Sequence, residues 1–317
     1  MSPSTGWRSW PPLKQGIEIM EALVGPRPAR RRHRAIMREI RDFVSREPFI
    51  HDCGDIQSDP QEEPIFIFSA GWRAGSTMLQ RMLMGSGRVL IWGEPYDHSD
   101  ILGTLKRQWL SFTGEWPPRN FFFDGEMEGA ADRWVANLYP AVKDMHAAHR
   151  AYFVRLFAEP ARRHGCDRWG IKEVRWSVDD ARYLQWLFPR ARFLFLIRNP
   201  HHAWRSYRTS RSWYLRWPQE PIFTPYRFGR YWAEMARDYL DHSELVDGRF
   251  LRYEDLLATE DFSELSAYLG VEVLSPNAIR KIRSRQPESG PRAVPALERW
   301  LLDLGCGKVA RRVGYRS

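Results

Sequence analysis

A short glycine-containing segment in the first third of the chain has the residue types of an anion-binding loop. It runs from Gly71 to Thr77 and reads GWRAGST. Glycines let the backbone approach a ligand closely, hydroxyls donate hydrogen bonds, and a guanidinium is a forked cation. If a helix begins here, its unpaired N–H groups and positive dipole end favour a bound anion. The alternative is a turn whose glycines only redirect the chain. The residues expected to bind the anion are Arg73, Ala74, Gly75, Ser76 and Thr77.

This loop is not a Walker A loop, which has four residues between its glycines followed by Lys and Ser or Thr. Three residues separate Gly71 from Gly75, and the cation precedes the second glycine. A nucleotidase also needs a carboxylate for Mg²⁺ near a neighbouring strand end. The clearest strand candidate, Phe193–Ile197, is followed by Arg198 and Asn199 instead. A cation at that place indicates a second anionic ligand group, and we expect no metal.

Arg198 and Ser206 form the second candidate site. They are eight residues apart, with Pro200 between them. Proline can start a helix, and Ser206 would then lie about two turns along it, so both side chains can face the strand end. A guanidinium and a hydroxyl can both bind a phosphate. Taken alone, the motif is equally compatible with an arginine paired to an acid at the sheet edge.

Segments of strand length surround these motifs. The clearest are Ile65–Phe68, Trp169–Ile171, Phe193–Ile197 and Phe250–Arg252, each followed by a loop or a helical pattern. A continuous apolar run is typical of a strand buried on both faces. Ser177 can cap a helix between the second and third of them. Repeated alternation of strand and helix predicts an α/β fold, with a P-loop-like central parallel sheet flanked by helices.

The two motifs in this order resemble the sulfotransferases that use 3′-phosphoadenosine 5′-phosphosulfate (PAPS), in particular their bacterial and carbohydrate-modifying branch. In that family a strand–loop–helix binds the 5′-phosphosulfate, and a later Arg-x7-Ser motif binds the 3′-phosphate. The matching residues are Arg73, Gly75, Ser76 and Thr77 for the first motif and Arg198 and Ser206 for the second. Weaker similarities are the RYEDL segment at residues 252–256 and the C-terminal segment from Cys306 to Tyr315. The resemblance covers about Pro64 to Tyr315.

Three departures from the cytosolic small-molecule sulfotransferases argue against a phenol or steroid acceptor and are compatible with the carbohydrate branch. The loop cation is Arg73 and not Lys, and the Arg-Lys-Gly motif near the C-terminus is not present. The catalytic histidine segment of those enzymes is also missing, and Lys172 to Arg175 occupies the corresponding stretch.

The resemblance implies PAPS as donor and a hydroxyl-bearing acceptor, with a glycan or a glycolipid preferred. Glu94, which follows the apolar segment Val89–Trp92, matches a glutamate that serves as general base in this branch. Lys172 could reach the transferred sulfuryl group or an anionic acceptor. The candidate catalytic residues are therefore Glu94, Arg73 and Lys172. The alternatives are a capping or ion-paired role for Glu94, and for Lys172 an ion pair with Glu173 or Asp179.

The charge balance agrees with an anionic ligand but does not identify it. The 317 residues include 48 Lys and Arg against 39 Asp and Glu, for a formal net charge of +9. The basic residues do not form the continuous stripe expected of a nucleic-acid-binding module, so no nucleic acid is expected as a partner.

His146 and His149 lack a third ligand at suitable spacing, so no zinc site is predicted. The alternative enzyme class is a nucleotide or small-molecule kinase with a variant phosphate loop, which would need Mg²⁺.

The first 60 residues are predicted to be a basic lead-in segment, and residues 61–317 the sulfotransferase domain. Seven arginines lie between residues 27 and 41, and Ile36, Met37, Ile40 and Phe43 recur at helical spacing. This segment either packs as a solvated helix on the domain or makes peripheral contact with an anionic membrane surface. Scattered cysteines, the lack of a membrane-length apolar stretch and the lack of a signal core predict a cytoplasmic protein.

Overall fold

Parallel strands separated by helices make up the computed structural model, which describes residues 63–95, 100–110, 116–118, 121–123, 137–209, 222, 224–279 and 293–315. The strands are β1 (Ile65–Ser69), β2 (Val89–Gly93), β3 (Phe122–Phe123), β4 (Tyr139–Pro140), β5 (Arg168–Glu173), β6 (Arg192–Ile197) and β7 (Gly248–Arg252). Five of them form one sheet in the order β2-β5-β1-β6-β7, and β3 pairs with β4 separately. All the strand pairs are parallel.

Ten α-helices lie within the described residues. They are α1 (Ser76–Met84), α2 (Ile101–Leu110), α3 (Val142–Phe153), α4 (Glu159–Arg163), α5 (Val178–Leu187), α6 (Pro200–Thr209), α7 (Pro225–His242), α8 (Tyr253–Ala258), α9 (Ser263–Leu269) and α10 (Ala296–Arg312). A π-helical turn (Val154–Ala158) joins α3 to α4, and a 3₁₀ turn (Ser243–Leu245) follows α7. The predicted cap of α5 is present, because Ser177 and Asp180 form a capping box.

The central strands are buried on both faces, which confirms the predicted α/β fold with a central parallel sheet and flanking helices. Alternating residues of β1 and β6 divide between two apolar layers. Phe66 and Phe193 face one layer, where their rings stack at 5.4 Å. Ile67 and Leu194 face the other, where α1 contributes Leu79. Each face of the sheet therefore needs its own cover of helices.

The strand order brings the chemistry-bearing segments to one edge of the sheet. β1 lies in the centre between β5 and β6, with Phe68 paired to Glu173 and Ser69 to Leu196. On either side, Gly93 pairs with Lys172 and Ile197 with Arg252. Since the strands are parallel, the segments that follow them all leave from their carboxyl ends, where open α/β sheets bind ligands.

Two predictions lie outside the described residues. These are the boundary at residue 60 and the nature of the basic N-terminal segment, and both stay predictions. Among the described helices, none combines the length and apolar character needed to cross a bilayer.

Candidate active site

The loop between β1 and α1 has the backbone of a tight anion-binding turn. Gly71, Arg73 and Gly75 all have left-handed backbone angles, with φ of 82°, 63° and 94°. α1 begins at Ser76, and no side-chain hydrogen bond caps its N-terminus within the described residues. The first N–H groups of a helix have no partner within the helix, so they are donors for an anion at this point. Arg73 adopts a conformation that glycine favours, which is typical of functional loops.

Both the backbone angle and a close contact with a neighbouring side chain require glycine at position 75. A Cβ atom at this position would lie 2.1 Å from Cδ2 of Tyr253, the first residue of α8. The Tyr253 ring therefore packs directly on the loop backbone. The guanidinium of Arg198 lies 4.4 Å from the centroid of the same ring. Tyr253 thus joins the two candidate anion motifs, a role that the sequence interpretation did not assign to it.

The two predicted motifs contact each other directly. Nε of Arg73 donates to Oγ of Ser206 at 2.8 Å, and Nη1 of Arg198 donates to the carbonyl oxygen of Arg73 at 3.0 Å. α7 supports this arrangement, because the indole N–H of Trp232 donates to the carbonyl oxygen of Arg198. The loop after β1 and the Arg198–Ser206 segment after β6 therefore form one basic site.

Arg198 is poorly solvated for a charged group. Its Nε atom is buried and has no hydrogen-bond partner among the described residues. Burial lowers the pKa of Arg198, and the nearby cations of Arg73 and Arg205 act in the same direction. A buried donor without an acceptor is costly, and a bound anion would supply both the acceptor and the compensating charge. This observation fits a phosphate group at Arg198.

Glu94 and Lys172 meet at the edge between β2 and β5. Their side chains form an ion pair, and the N–H of Glu94 donates to the carbonyl oxygen of Lys172 at 2.8 Å. Lys172 is only 5% exposed, and Glu94 has a left-handed φ of 45°. Lys172 therefore pairs with Glu94, and not with Glu173 or Asp179 as the alternative interpretation had it. The ion-paired role that the sequence analysis left open for Glu94 is therefore present, and the ion pair fixes the position of the carboxylate.

Glu173 is a second carboxylate, which the sequence interpretation did not include in the site. It is buried at the end of β5, where Oε1 accepts from the N–H of Val174 and both oxygens accept from the forked guanidinium of Arg175. Burial, and next the charge of Glu94, raise the pKa of Glu173 to about 8, whereas Val174 and Lys172 act in the opposite direction. Its signal in the sequence was its place directly after Lys172 at a strand end.

The RYEDL segment and the C-terminal segment form hydrogen bonds that hold the backbone next to Arg198 in place. Glu254 accepts a hydrogen bond from the N–H of Asn199 at 3.0 Å and another from the hydroxyl of Tyr315 at 2.7 Å. The guanidinium of Arg252 lies 4.9 Å from the centroid of the Tyr315 ring. The two weaker similarities noted from the sequence thus belong to one cluster that fixes the start of α6.

The remaining predicted residues occupy different positions in the loop. Ala74 and Ser76 are buried, whereas Thr77 is exposed at the start of α1. His146 and His149 lie in the core away from this loop, hydrogen-bonded to Trp186 and Tyr183. In the part of the chain that the structure describes, no group of three or more His, Cys, Asp or Glu side chains could hold a metal ion.

A family model described as "Sulfotransferase family" matches residues 64–273. The chain belongs to the sulfotransferase family. The match begins one residue before β1 and extends beyond α9, so it includes the loop, Glu94, Lys172, Arg198 and Ser206. This confirms the family that the motifs predicted.

The solved structures that match this sulfotransferase have low sequence identity to it and low TM-scores. A sulfotransferase domain from the curacin biosynthetic pathway is 18% identical, covers 80% of this chain and 98% of its own, and has a TM-score of 0.41. The PezAT chromosomal toxin–antitoxin system of Streptococcus pneumoniae is 12% identical, covers 92% and 99%, and has a TM-score of 0.31. No curated protein sequence matches the chain.

Proposed function

We propose that this sulfotransferase moves the sulfuryl group of PAPS to a hydroxyl of an acceptor. The products would be a sulfate ester, adenosine 3′,5′-bisphosphate and the proton of the hydroxyl. The observation that carries the proposal is the meeting of the two basic motifs through Arg73, Ser206 and Arg198. A donor with anionic groups at both its 3′ and 5′ positions needs two such sites side by side.

The first motif suits the 5′-phosphosulfate. Arg73 to Thr77 and the N-terminus of α1 offer backbone donors, hydroxyls and one guanidinium around the left-handed turn at Gly75. These groups would stabilise the negative charge that grows on the 5′-phosphate as the S–O bond breaks. The donor itself supplies the activated sulfuryl group.

The second motif suits the 3′-phosphate. Arg198 has a buried Nε atom without a partner among the described residues, and Ser206 lies within hydrogen-bond distance of Arg73. A phosphate at this place would accept charge-assisted hydrogen bonds from Arg198 and one from the serine hydroxyl.

Glu94 is the proposed general base. Its Oε1 atom is held by Lys172, so we assign Oε2 to the acceptor hydroxyl. In this arrangement Lys172 fixes the carboxylate and places a positive charge beside the reacting groups. A carboxylate can take the proton when proton transfer is late, because the attacking oxygen is by then acidic.

The acceptor is proposed to be a glycan or a glycolipid. The support is the resemblance of the Arg73 loop and of Glu94 to the carbohydrate-modifying branch. A nucleotide or small-molecule kinase is not favoured, because Arg198 stands after β6 where a kinase would need a metal-binding carboxylate. Residues 61–317 remain the proposed sulfotransferase domain, and a cytoplasmic location remains a prediction.

Calorimetric titration with two nucleotides tests the donor site. Adenosine 3′,5′-bisphosphate should bind more tightly than adenosine 5′-monophosphate, because only the first has a group for Arg198. Arg198→Ala should weaken bisphosphate binding by about 10- to 100-fold, as expected for charged hydrogen bonds, and should affect the monophosphate much less. Arg155→Ala is the control, because its side chain is 77% exposed on the π-helical turn. Equal affinities for the two nucleotides in the wild-type protein would rule out this site.

A further inference from the structure

α10 has an apolar face on each side, and among the described residues only one of these faces is buried. Leu301, Leu302 and Cys306 are buried against the rest of the domain. On the outward side, Leu297, Trp300 and Leu304 are 45%, 49% and 50% exposed. A helix that covers a single core normally has polar residues on its outer side. Packing within the described part of the chain therefore does not explain the outer apolar residues.

The outward side also carries two cations, Lys308 and Arg311, both of which are exposed. At 3.6 residues per turn, these five positions fall within an arc of about 80°. We call them the outer stripe of α10, which consists of Leu297, Trp300, Leu304, Lys308 and Arg311. Its apolar residues occupy the N-terminal half of the helix and its cations the C-terminal half.

The acidic residues of α10 lie outside the stripe. Glu298 accepts hydrogen bonds from Trp204 and Arg208, and Asp303 accepts one from His201. All three donors belong to α6, so both carboxylates point to the domain. The outer stripe therefore combines apolar and positive groups without a carboxylate of its own, and its charge complements an anionic partner.

We propose that the outer stripe of α10 docks on an anionic lipid bilayer. Leu297, Trp300 and Leu304 would enter the boundary between headgroups and acyl chains, and Lys308 and Arg311 would contact lipid phosphates. Tryptophan and leucine beside basic residues are the usual composition of helices that lie in a membrane interface. The net charge of +9 favours the same class of surface.

Charge argues against the basic N-terminal segment as the occupant of this stripe. Seven arginines between residues 27 and 41 would face Lys308 and Arg311 and repel them.

The proposed contact also concerns the donor site, because the hydrogen bonds of Glu298 and Asp303 connect α10 to α6, the helix that carries Ser206. Docking through α10 would hold that helix close to the bilayer. The docking proposal does not depend on the proposed reaction.

Sedimentation of the full chain with lipid vesicles tests the proposal. The vesicles are phosphatidylcholine alone or phosphatidylcholine mixed with phosphatidylglycerol. We expect binding to the mixed vesicles, and a loss of at least about tenfold in the triple variant Leu297→Ser, Trp300→Ser, Leu304→Ser. The control variant is Leu245→Ser, Leu257→Ser, because these leucines are 50% and 53% exposed outside α10. The control should bind as the wild type does.

A second variant tests the electrostatic part. Lys308→Ala, Arg311→Ala should weaken binding to the mixed vesicles by about fivefold for each cation removed, and high salt should have a similar effect.

Four outcomes would overturn the proposal. They are no vesicle binding by the wild type, binding that the triple variant retains, a thermal unfolding midpoint that falls far more in the triple variant than in the control variant, or a wild-type dimer that the triple variant abolishes. The second outcome would assign binding to charge elsewhere, the third would mean that the chain covers its own stripe, and the fourth would make the stripe a contact between two copies.

Discussion

Single residues in this site are constrained by backbone angle and by contact at once, and Gly75 is the clearest case. Its φ of 94° disfavours any side chain, and the Tyr253 ring occupies the space where a Cβ atom would be. Gly87 separates the two constraints, because it has a φ of 74° but no atom within 4 Å of its Cβ position. Alanine substitutions at Gly75 and at Gly87 therefore allow the cost of backbone strain and the cost of steric contact to be measured separately.

Gly75→Ala should destabilise the protein more than Gly87→Ala does. Backbone strain should cost about 1–2 kcal/mol at either position. Contact with Tyr253 should add about 1–3 kcal/mol at Gly75 alone. Urea unfolding measures both costs. In a Tyr253→Ala background the additional cost should disappear, and an undiminished cost there would contradict the contact with the ring.

Glu94→Gln should separate catalysis from donor binding. Glutamine keeps the size of the side chain but cannot take the proton of the acceptor hydroxyl, so we expect turnover to fall at least about 100-fold. The affinity for adenosine 3′,5′-bisphosphate, measured by calorimetry, should stay as in the wild type. Turnover close to the wild-type value would show that Glu94 is a structural partner of Lys172 and not the base.

At the scale of elements, a buried histidine cluster joins α2, α3 and α5, which pack on the same face of the sheet as Phe66. The indole N–H of Trp109 in α2 donates to Nδ1 of His149 in α3 at 3.0 Å, so Nδ1 is assigned as an acceptor and Nε2 donates to Gln108. His146, one turn earlier, contacts the carbonyl oxygen of Trp186 in α5. The packing therefore requires a neutral His149. Burial lowers the pKa of both histidines from 6.5.

This cluster should make the protein sensitive to acid. Below about pH 6.5 the unfolded chain protonates both histidines while the folded chain does not, so the free energy of unfolding falls as the pH falls. The limiting slope is about 1.4 kcal/mol per pH unit for each histidine. Urea unfolding between about pH 7 and pH 5 should show a smaller loss for His146→Gln, His149→Gln than for the wild type. His164→Gln, at an exposed position, should behave as the wild type. Parallel curves for all three proteins would contradict this assignment.

At the scale of the whole molecule, the parallel sheet gathers cations from distant parts of the chain around one site. Arg73 follows β1, Lys172 is the residue before the last in β5, and Arg198 follows β6. The transferred sulfuryl group carries less negative charge than a phosphoryl group, so we expect Arg73, Arg198 and the N-terminus of α1 to stabilise the transition state without a metal ion.

Removal of metal ions should therefore not affect sulfuryl transfer. We expect the same rate of acceptor sulfation, followed by the gain in acceptor mass, in EDTA and in added Mg²⁺. The matched measurement is adenosine 3′,5′-bisphosphate binding with and without EDTA, which should also be unchanged. A rate that EDTA abolishes and Mg²⁺ restores would instead indicate the kinase alternative.

Much of the fold follows from local sequence. The strand of Ile65–Phe68, the loop to Thr77 and the capped helix after Ser177 were predictable, because burial on both faces, left-handed turns and helix caps depend on neighbouring residues. The placement of Arg198 after a strand and of Ser206 in the next helix was predictable for the same reason, whereas their 3′-phosphate role came from the family resemblance.

The contacts that make these motifs into a site depended on the tertiary structure. Arg73 and Ser206 are 133 residues apart, and Lys172 and Glu94 are 78 apart. Gly75 meets Tyr253 only because the chain returns along β7 to the same edge of the sheet. Sequence alone therefore determined the residue types, the α/β class and the family, because their signals are local or lie in ordered motifs. The strand order decided which side chains meet, because it arises from packing between segments far apart in the chain, and no local pattern encodes that packing.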